Sequence, residues 1–157
     1  MVGLALAIAG AAFAAIFAGI GSAVGVGTAG RAGAGVVSEK PELFGKVLLL
    51  EALPGTQGIY GFLVAFIVML QTGLLGGEPV ELSVGQGLVI FAACLPVAFG
   101  GLFSGIHQGK VSAAGLNIVA KQPDKSGNAV ILSAMVETYA LLGLVISILT
   151  VLFFKLD

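Results

Sequence analysis

One acidic residue, Glu137, lies inside the apolar stretch "ILSAMVETYALLGLVISILTVLFF". An ionised carboxylate in hydrocarbon is costly, so such a residue reads as functional and calls for a partner. Candidate partners lie in two other segments. In "ALPGTQGIYG", Leu53, Thr56, Gln57 and Tyr60 fall at i, i+3, i+4 and i+7, one face of a helix. In "GLFSGIHQGKV" the polar residue is Gln108. Pro54 has no N–H and Gly55 relaxes the backbone, so a helix break here frees carbonyl oxygen at depth. Taken singly, each partner has a structural use: Thr56 can bond its own backbone, Gln57 and Gln108 can join helices, and Tyr60 can pack. Together they offer a carboxylate, a hydroxyl and two amide oxygens, with Tyr60 able to hydrogen-bond the carboxylate. Hard oxygens with a single negative charge suit a small monovalent cation.

The spacing puts these groups at one depth. Thr56 lies 15 residues beyond Pro41, Gln108 15 before Pro123, and Glu137 14 beyond Pro123. At about 1.5 Å per residue, all three stand roughly 21–23 Å from their loops.

The elements that must position them are membrane helices. Apolar residues make up 58% of the chain and charged residues 10%, which places it in a membrane, and its short aqueous segments leave little room for a soluble catalytic domain. A formal charge of −1 is no nucleic-acid footprint. The lone cysteine, Cys94, rules out an intrachain disulfide and reads as a small core residue. Four apolar segments, roughly 2–37, 43–75, 82–120 and 126–154, are each long enough to cross the hydrocarbon core of about 30 Å. The first is too long for a signal peptide and has no basic start.

The chain repeats itself. Setting Pro41 against Pro123 gives an offset of 82 residues, which also pairs Phe17 with Phe99, Ser22 with Ser104, Gly33 with Gly115, Thr56 with Thr138 and Gly61 with Gly143. No gap is needed. The expected fold is therefore an all-α membrane protein of four transmembrane helices. It is a duplicated helical hairpin, with a first repeat over 1–75, a linker over 76–82 and a second repeat over 83–157. Under the same offset Glu137 matches Gly55, so only one repeat carries the carboxylate.

Arg31, Lys40, Lys46, Lys110, Lys121 and Lys125 lie in or near the two hairpin connections, whereas the linker carries Glu78 and Glu81 and no basic residue. The positive-inside rule puts both hairpin loops in the cytoplasm and both termini outside. Gly101, Gly105 and Gly109 form a small-residue stripe matched by Gly19, Ala23 and Gly27 in the first repeat. Such stripes let helix backbones approach in lipid, and two per chain suit packing of copies around a homo-oligomeric ring, with the second and fourth helices outside.

The stretches "LPGTQGIYGF", "GLFSGIHQGKV", "AAG" and "MVETYALLGLVISILT" resemble the duplicated proteolipid of vacuolar-type rotary ATPases, and among these the bacterial sodium-pumping branch. There this proteolipid, called K or c, forms the membrane rotor ring. The resemblance implies that Glu137 is the ion-carrying carboxylate. It implies that the Leu53 carbonyl, Thr56, Gln57 and Gln108 complete a Na⁺ shell and that Tyr60 bonds Glu137. It further implies a ring of identical copies in the bacterial cell membrane, turning against a stator subunit that supplies a cation, with central-stalk subunits at the cytoplasmic loops. No catalytic residue and no organic cofactor are expected. The chain has no P-loop, so ATP chemistry would belong to other subunits.

Three function classes follow: a sodium rotor, a proton rotor using the same carboxylate, and a passive pore or small secondary transporter. Glu51 stands outside the expected site, about 240° round the helix from Gln57, with a pairing to Arg31 as one expectation. His107 reads as a packing or ring-lumen residue, and Lys110 as one that snorkels to the surface.

Overall fold

The computed structural model describes residues 1–154; the last three residues of the second repeat lie outside them. Every regular element among the described residues is helical. The first span is α1 (Val2–Glu39) and the second begins with a 3₁₀ turn (Pro41–Leu43) and α2 (Phe44–Ala52). After a second 3₁₀ turn (Leu53–Gly55) it continues as α3 (Thr56–Gln71). The third span is α4 (Val84–Lys121), and a 3₁₀ turn (Pro123–Lys125) leads into α5 (Ser126–Phe153). Four spans are long and apolar enough to cross a membrane: Val2–Glu39, Pro41–Gln71, Val84–Lys121 and Pro123–Phe153. Helices satisfy every backbone group within one segment, which is what hydrocarbon demands.

Each hairpin turns at proline. Pro41 and Pro123 each open a 3₁₀ turn, where a missing N–H is harmless. The preceding residues, Lys40 and Gln122, leave helical geometry with φ of −137° and −140°. The loops are tied together by lysines: Lys40 Nζ donates to the Ala120 carbonyl at 2.6 Å, and Lys46 Nζ donates to the Pro123 carbonyl at 2.9 Å. Lys40 thereby places its cation at the C-terminal end of α4, where the helix dipole favours positive charge, while Lys46 meets the turn that follows.

The second helix stops before its apolar segment does. It ends at Gln71, and residues 72–76 form turns although the apolar segment runs on to 75. The stop is Gly73, with φ +72°, where a Cβ would also lie 2.1 Å from the Glu78 carbonyl oxygen. Only glycine meets both conditions. Across the linker, Ser83 caps α4 through a reciprocal box with Gln86.

The core is two clusters of small and aliphatic side chains. One, toward the termini, gathers Ala7, Ala14, Val64, Val68, Ile90, Cys94 and Val97; Cys94 is fully buried there. The other, toward the hairpin loops, gathers Leu43, Val47, Leu50, Leu116, Val119 and Ala129. Between them α1 and α4 run backbone to backbone. A methyl group on Gly21 would lie 2.5 Å from the Gly101 carbonyl oxygen, and one on Gly109 would lie 2.3 Å from Gly25 Cα. The stripe Gly101, Gly105 and Gly109 thus packs inside one chain, against Ala18, Gly21 and Gly25. The matching stripe does not: nothing lies within 4 Å of a methyl placed on Gly19 or Gly27, and Ala23 is exposed. The two stripes have the same composition and different surroundings.

Candidate ion-binding site

The break in the second span sets the first half of the site. Pro54 cannot donate to the Leu50 carbonyl, and the chain tightens into one 3₁₀ turn over Leu53–Gly55. The Leu53 carbonyl then accepts from the N–H of Thr56. The Thr56 hydroxyl stands 3.0 Å from that carbonyl oxygen and 2.7 Å from Glu137 Oε1. A hydroxyl has one proton, so when it is given to the carboxylate the Leu53 oxygen keeps a free lone pair. The next N–H affected, that of Gly58, is taken up by Ser22 Oγ on α1 at 2.7 Å.

Glu137 reaches this point from the middle of α5. Its Oε1 accepts from both Thr56 and the Tyr60 hydroxyl, the latter through a short bond. Its Oε2 accepts from Gln108 Nε2 at 3.3 Å. Three donors from two elements therefore hold one carboxylate, which fixes its rotamer and disperses its charge. No full positive charge stands among these hydrogen-bonding partners.

The amides form the inner wall. Gln57 and Gln108 are both completely buried. Gln57 Nε2 donates to Gln108 Oε1 and, at 3.2 Å, to Ser104 Oγ, which in turn donates to the Val136 carbonyl at 3.0 Å. Both amide hydrogens of Gln57 are thereby engaged. Its oxygen is not: Gln57 Oε1 is buried without a hydrogen-bond partner. An acceptor stripped of water and left unpaired costs about 1–3 kcal/mol.

All the residues expected around Glu137 are thus joined to it directly or through one another: Thr56, Tyr60 and Gln108 touch it, Gln57 reaches it through Gln108, and the Leu53 carbonyl sits beside Thr56. Two supporting residues escaped the sequence reading. Ser104 orients Gln57, and Ser22 completes the broken backbone. They occupy matching positions in the two repeats, which was the available signal.

Glu51 does lie apart from the site. Its carboxylate rests on Gly30, where an added methyl would meet Glu51 Oε1 at 2.7 Å, and among the described residues it forms no ion pair with Arg31, the expected partner. At the matching positions of the second repeat, Ser112 and Ser133 share a buried hydrogen bond of 2.7 Å. His107 is exposed beside Gln108 and lines a shallow groove with Phe103 and Tyr139.

Comparison with known proteins gives consistent relatives. A family profile for the ATP synthase C subunit matches residues 2–68 and 91–150, a stretch in each hairpin. The chain is 52% identical over 150 residues to the V-type sodium ATPase subunit K of Enterococcus hirae, covering 96% of this chain and 92% of that one. It is 40% identical over 146 residues to the A-type ATP synthase subunit K of Methanocaldococcus jannaschii, covering 93% of this chain and 61% of the relative. It is 30% identical over 141 residues to the V-type proton ATPase 16 kDa proteolipid of Nephrops norvegicus, covering 90% and 86% respectively.

Proposed function

Because the chain belongs to the ATP synthase C subunit family, we propose that it is the rotor-ring subunit of a V-type rotary ATPase and carries one Na⁺ per copy at Glu137. The chain itself performs no ATP chemistry; it is the ion-translocating part of an ATP-driven machine. Identical copies form the ring. A stator subunit faces it in the membrane, and central-stalk subunits meet the two hairpin loops, which lie in the cytoplasm with both termini outside.

The mechanism follows from charge. With Na⁺ held between Glu137⁻, Thr56 Oγ, Gln57 Oε1, Gln108 Oε1 and the Leu53 carbonyl, the site is neutral and can pass through lipid. With the ion gone, a bare carboxylate would face hydrocarbon at a cost of several kcal/mol. An empty site is thereby confined to the polar stator interface. There a fixed cation from the stator displaces Na⁺ and neutralises Glu137 until the next ion enters. Thr56, Tyr60 and Gln108 keep the carboxylate in place through both states, so the site need not rebuild itself at every step.

The single observation that favours Na⁺ is Gln57 Oε1, buried and unpaired. A proton on Glu137 would neutralise the carboxylate and leave this oxygen as it is; a cation answers both. A proton rotor remains the second reading, since proteolipids of proton ATPases are 28–31% identical to this chain. Carbodiimide labelling of the purified ring separates the two, because the reagent attacks a protonated, accessible carboxyl. Na⁺ should protect Glu137 and K⁺ should not. Equal labelling of Glu137 in either salt near neutral pH would assign the site to protons.

A further inference from the structure

The hydrogen bonds around Glu137 close on themselves. Its Oε2 accepts from Gln108 Nε2, Gln108 Oε1 accepts from Gln57 Nε2, and Gln57 Nε2 also donates to Ser104 Oγ. Ser104 then donates to the carbonyl of Val136, the residue before Glu137 on α5. The circuit leaves α5 through a side chain and returns to it through the neighbouring backbone. It ties α3 and α4 to the turn that bears the carboxylate. Gln57, Gln108 and Ser104 are all buried, where a hydrogen bond is stronger than in water.

The circuit has a sense. An ionised carboxylate only accepts, so Gln108 turns its nitrogen to Glu137 and its oxygen to Gln57. Gln57 meets that oxygen with nitrogen, because two carbonyl oxygens in contact repel. One bond alone would leave the Gln57 amide free to swing about it. Ser104 supplies the second. A hydroxyl has a single proton, and that of Ser104 goes to Val136, so toward Gln57 it offers only a lone pair. It takes the other amide hydrogen at 3.2 Å. Held at both hydrogens, the amide has one polar atom left over, the buried and unpaired Oε1.

Local packing brings Ser104 into reach. Three residues earlier on α4, a methyl on Gly101 would lie 2.7 Å from Ala18 Cβ and 3.6 Å from Gln57 Cβ, so α4 stands close to both neighbours there. The image of Ser104, 82 positions back in the first repeat, is Ser22 on α1. Its hydroxyl accepts from the backbone N–H of Gly58 at 2.7 Å. The same residue type thus serves one stretch from both repeats: Ser22 fixes the backbone after Gln57, and Ser104 fixes its amide.

From this we infer that Ser104 is a positioning residue that sets the preference for Na⁺ over H⁺, by holding the Gln57 amide with its oxygen toward the ion. Ser104 is not itself a ligand. The inference rests on the sodium reading above and names a residue outside the shell on which selectivity turns. A proton on Glu137 makes no use of Gln57 Oε1, so the loss of Ser104 falls on Na⁺ alone. Ser104→Ala leaves the amide held at one hydrogen, and its oxygen no longer keeps one direction. Losing one buried neutral hydrogen bond should weaken Na⁺ binding about three- to tenfold.

The test is the Na⁺ concentration that half-protects Glu137 from carbodiimide in the purified ring at one pH. Ser104→Ala should raise it by that factor, while Ser104→Thr, which keeps the hydroxyl, should stay within about twofold of the wild type. Labelling in Na⁺-free buffer should match the wild type in both, since the carboxylate keeps its own donors. Ser112→Ala removes an equally buried hydroxyl from a pair with Ser133 outside the circuit, and should leave half-protection unchanged. If Ser104→Ala yields no ring, Ser104→Cys, close to serine in size with a weakly accepting sulfur, carries the same comparison. Unchanged half-protection without the Ser104 hydroxyl, or an equal loss in Ser104→Thr or Ser112→Ala, overturns the inference and leaves the sodium reading intact. Labelling that changes as much without Na⁺ does the same. A wild-type ring protected no better by Na⁺ than by K⁺ overturns both.

Discussion

Replacing Thr56 by valine removes one hydroxyl and leaves the shape of the site nearly unchanged. That hydroxyl lies 2.7 Å from Glu137 Oε1 and 3.0 Å from the Leu53 carbonyl oxygen. With it go a hydrogen bond to the carboxylate and, in the proposed sodium shell, one oxygen ligand. A bond of this class contributes about 1.5–3 kcal/mol, and about 1.4 kcal/mol is tenfold in affinity. Na⁺ binding by Thr56→Val should therefore weaken by roughly ten- to 150-fold. The assay is the Na⁺ concentration that half-protects Glu137 from carbodiimide in the purified ring. Thr138→Val is the internal control: it is the same change at the image position, where the hydroxyl bonds only the Met135 carbonyl. It should leave Na⁺ binding within about twofold of the wild type, given the scatter typical of surface substitutions. If Thr56→Val also stays within twofold, or if Thr138→Val loses as much, the oxygen cluster is not the sodium shell.

Other substitutions separate packing from ion binding. Gly109→Ala places a methyl 2.3 Å from Gly25 Cα and should force α1 and α4 apart. That overpacking costs about 1–3 kcal/mol and should lower the thermal midpoint in detergent, whereas Gly45→Ala, with open space around it, should not. Ser112→Ala leaves Ser133 buried and unpaired, at a cost of about 1–3 kcal/mol, and the double variant with Ser133→Ala should recover part of the loss. Simple additivity in thermal unfolding would contradict the pairing. Glu51→Gln, whose carboxylate lies against Gly30 and not among the site oxygens, should keep wild-type protection of Glu137 by Na⁺.

What could be read from the sequence was whatever depends on counting. Four spans follow from apolar length, and the level shared by Thr56, Gln108 and Glu137 follows from the helical rise and two loop prolines. The break at Pro54 follows from one missing N–H. Counting could not show which face of a helix meets which neighbour. The stripes at Gly19 and Gly101 look alike in composition, yet one is packed inside the chain and the other is open, because α1 and α4 turn different faces to each other. The end of the second helix is hidden for a related reason. Leu74 and Leu75 continue the apolar run, but Gly73 at positive φ has already ended the helix. The unpaired state of Gln57 Oε1 depends on where Ser104 and Gln108 point, which no spacing rule supplies.

Equilibrium binding of ²²Na⁺ to the purified ring bears most directly on the claim that Glu137 carries the ion. One saturable site per chain is expected, displaced poorly by K⁺, abolished by Glu137→Gln and retained in Glu51→Gln. Saturable binding that survives Glu137→Gln, or no saturable binding to the intact wild-type ring, would contradict it.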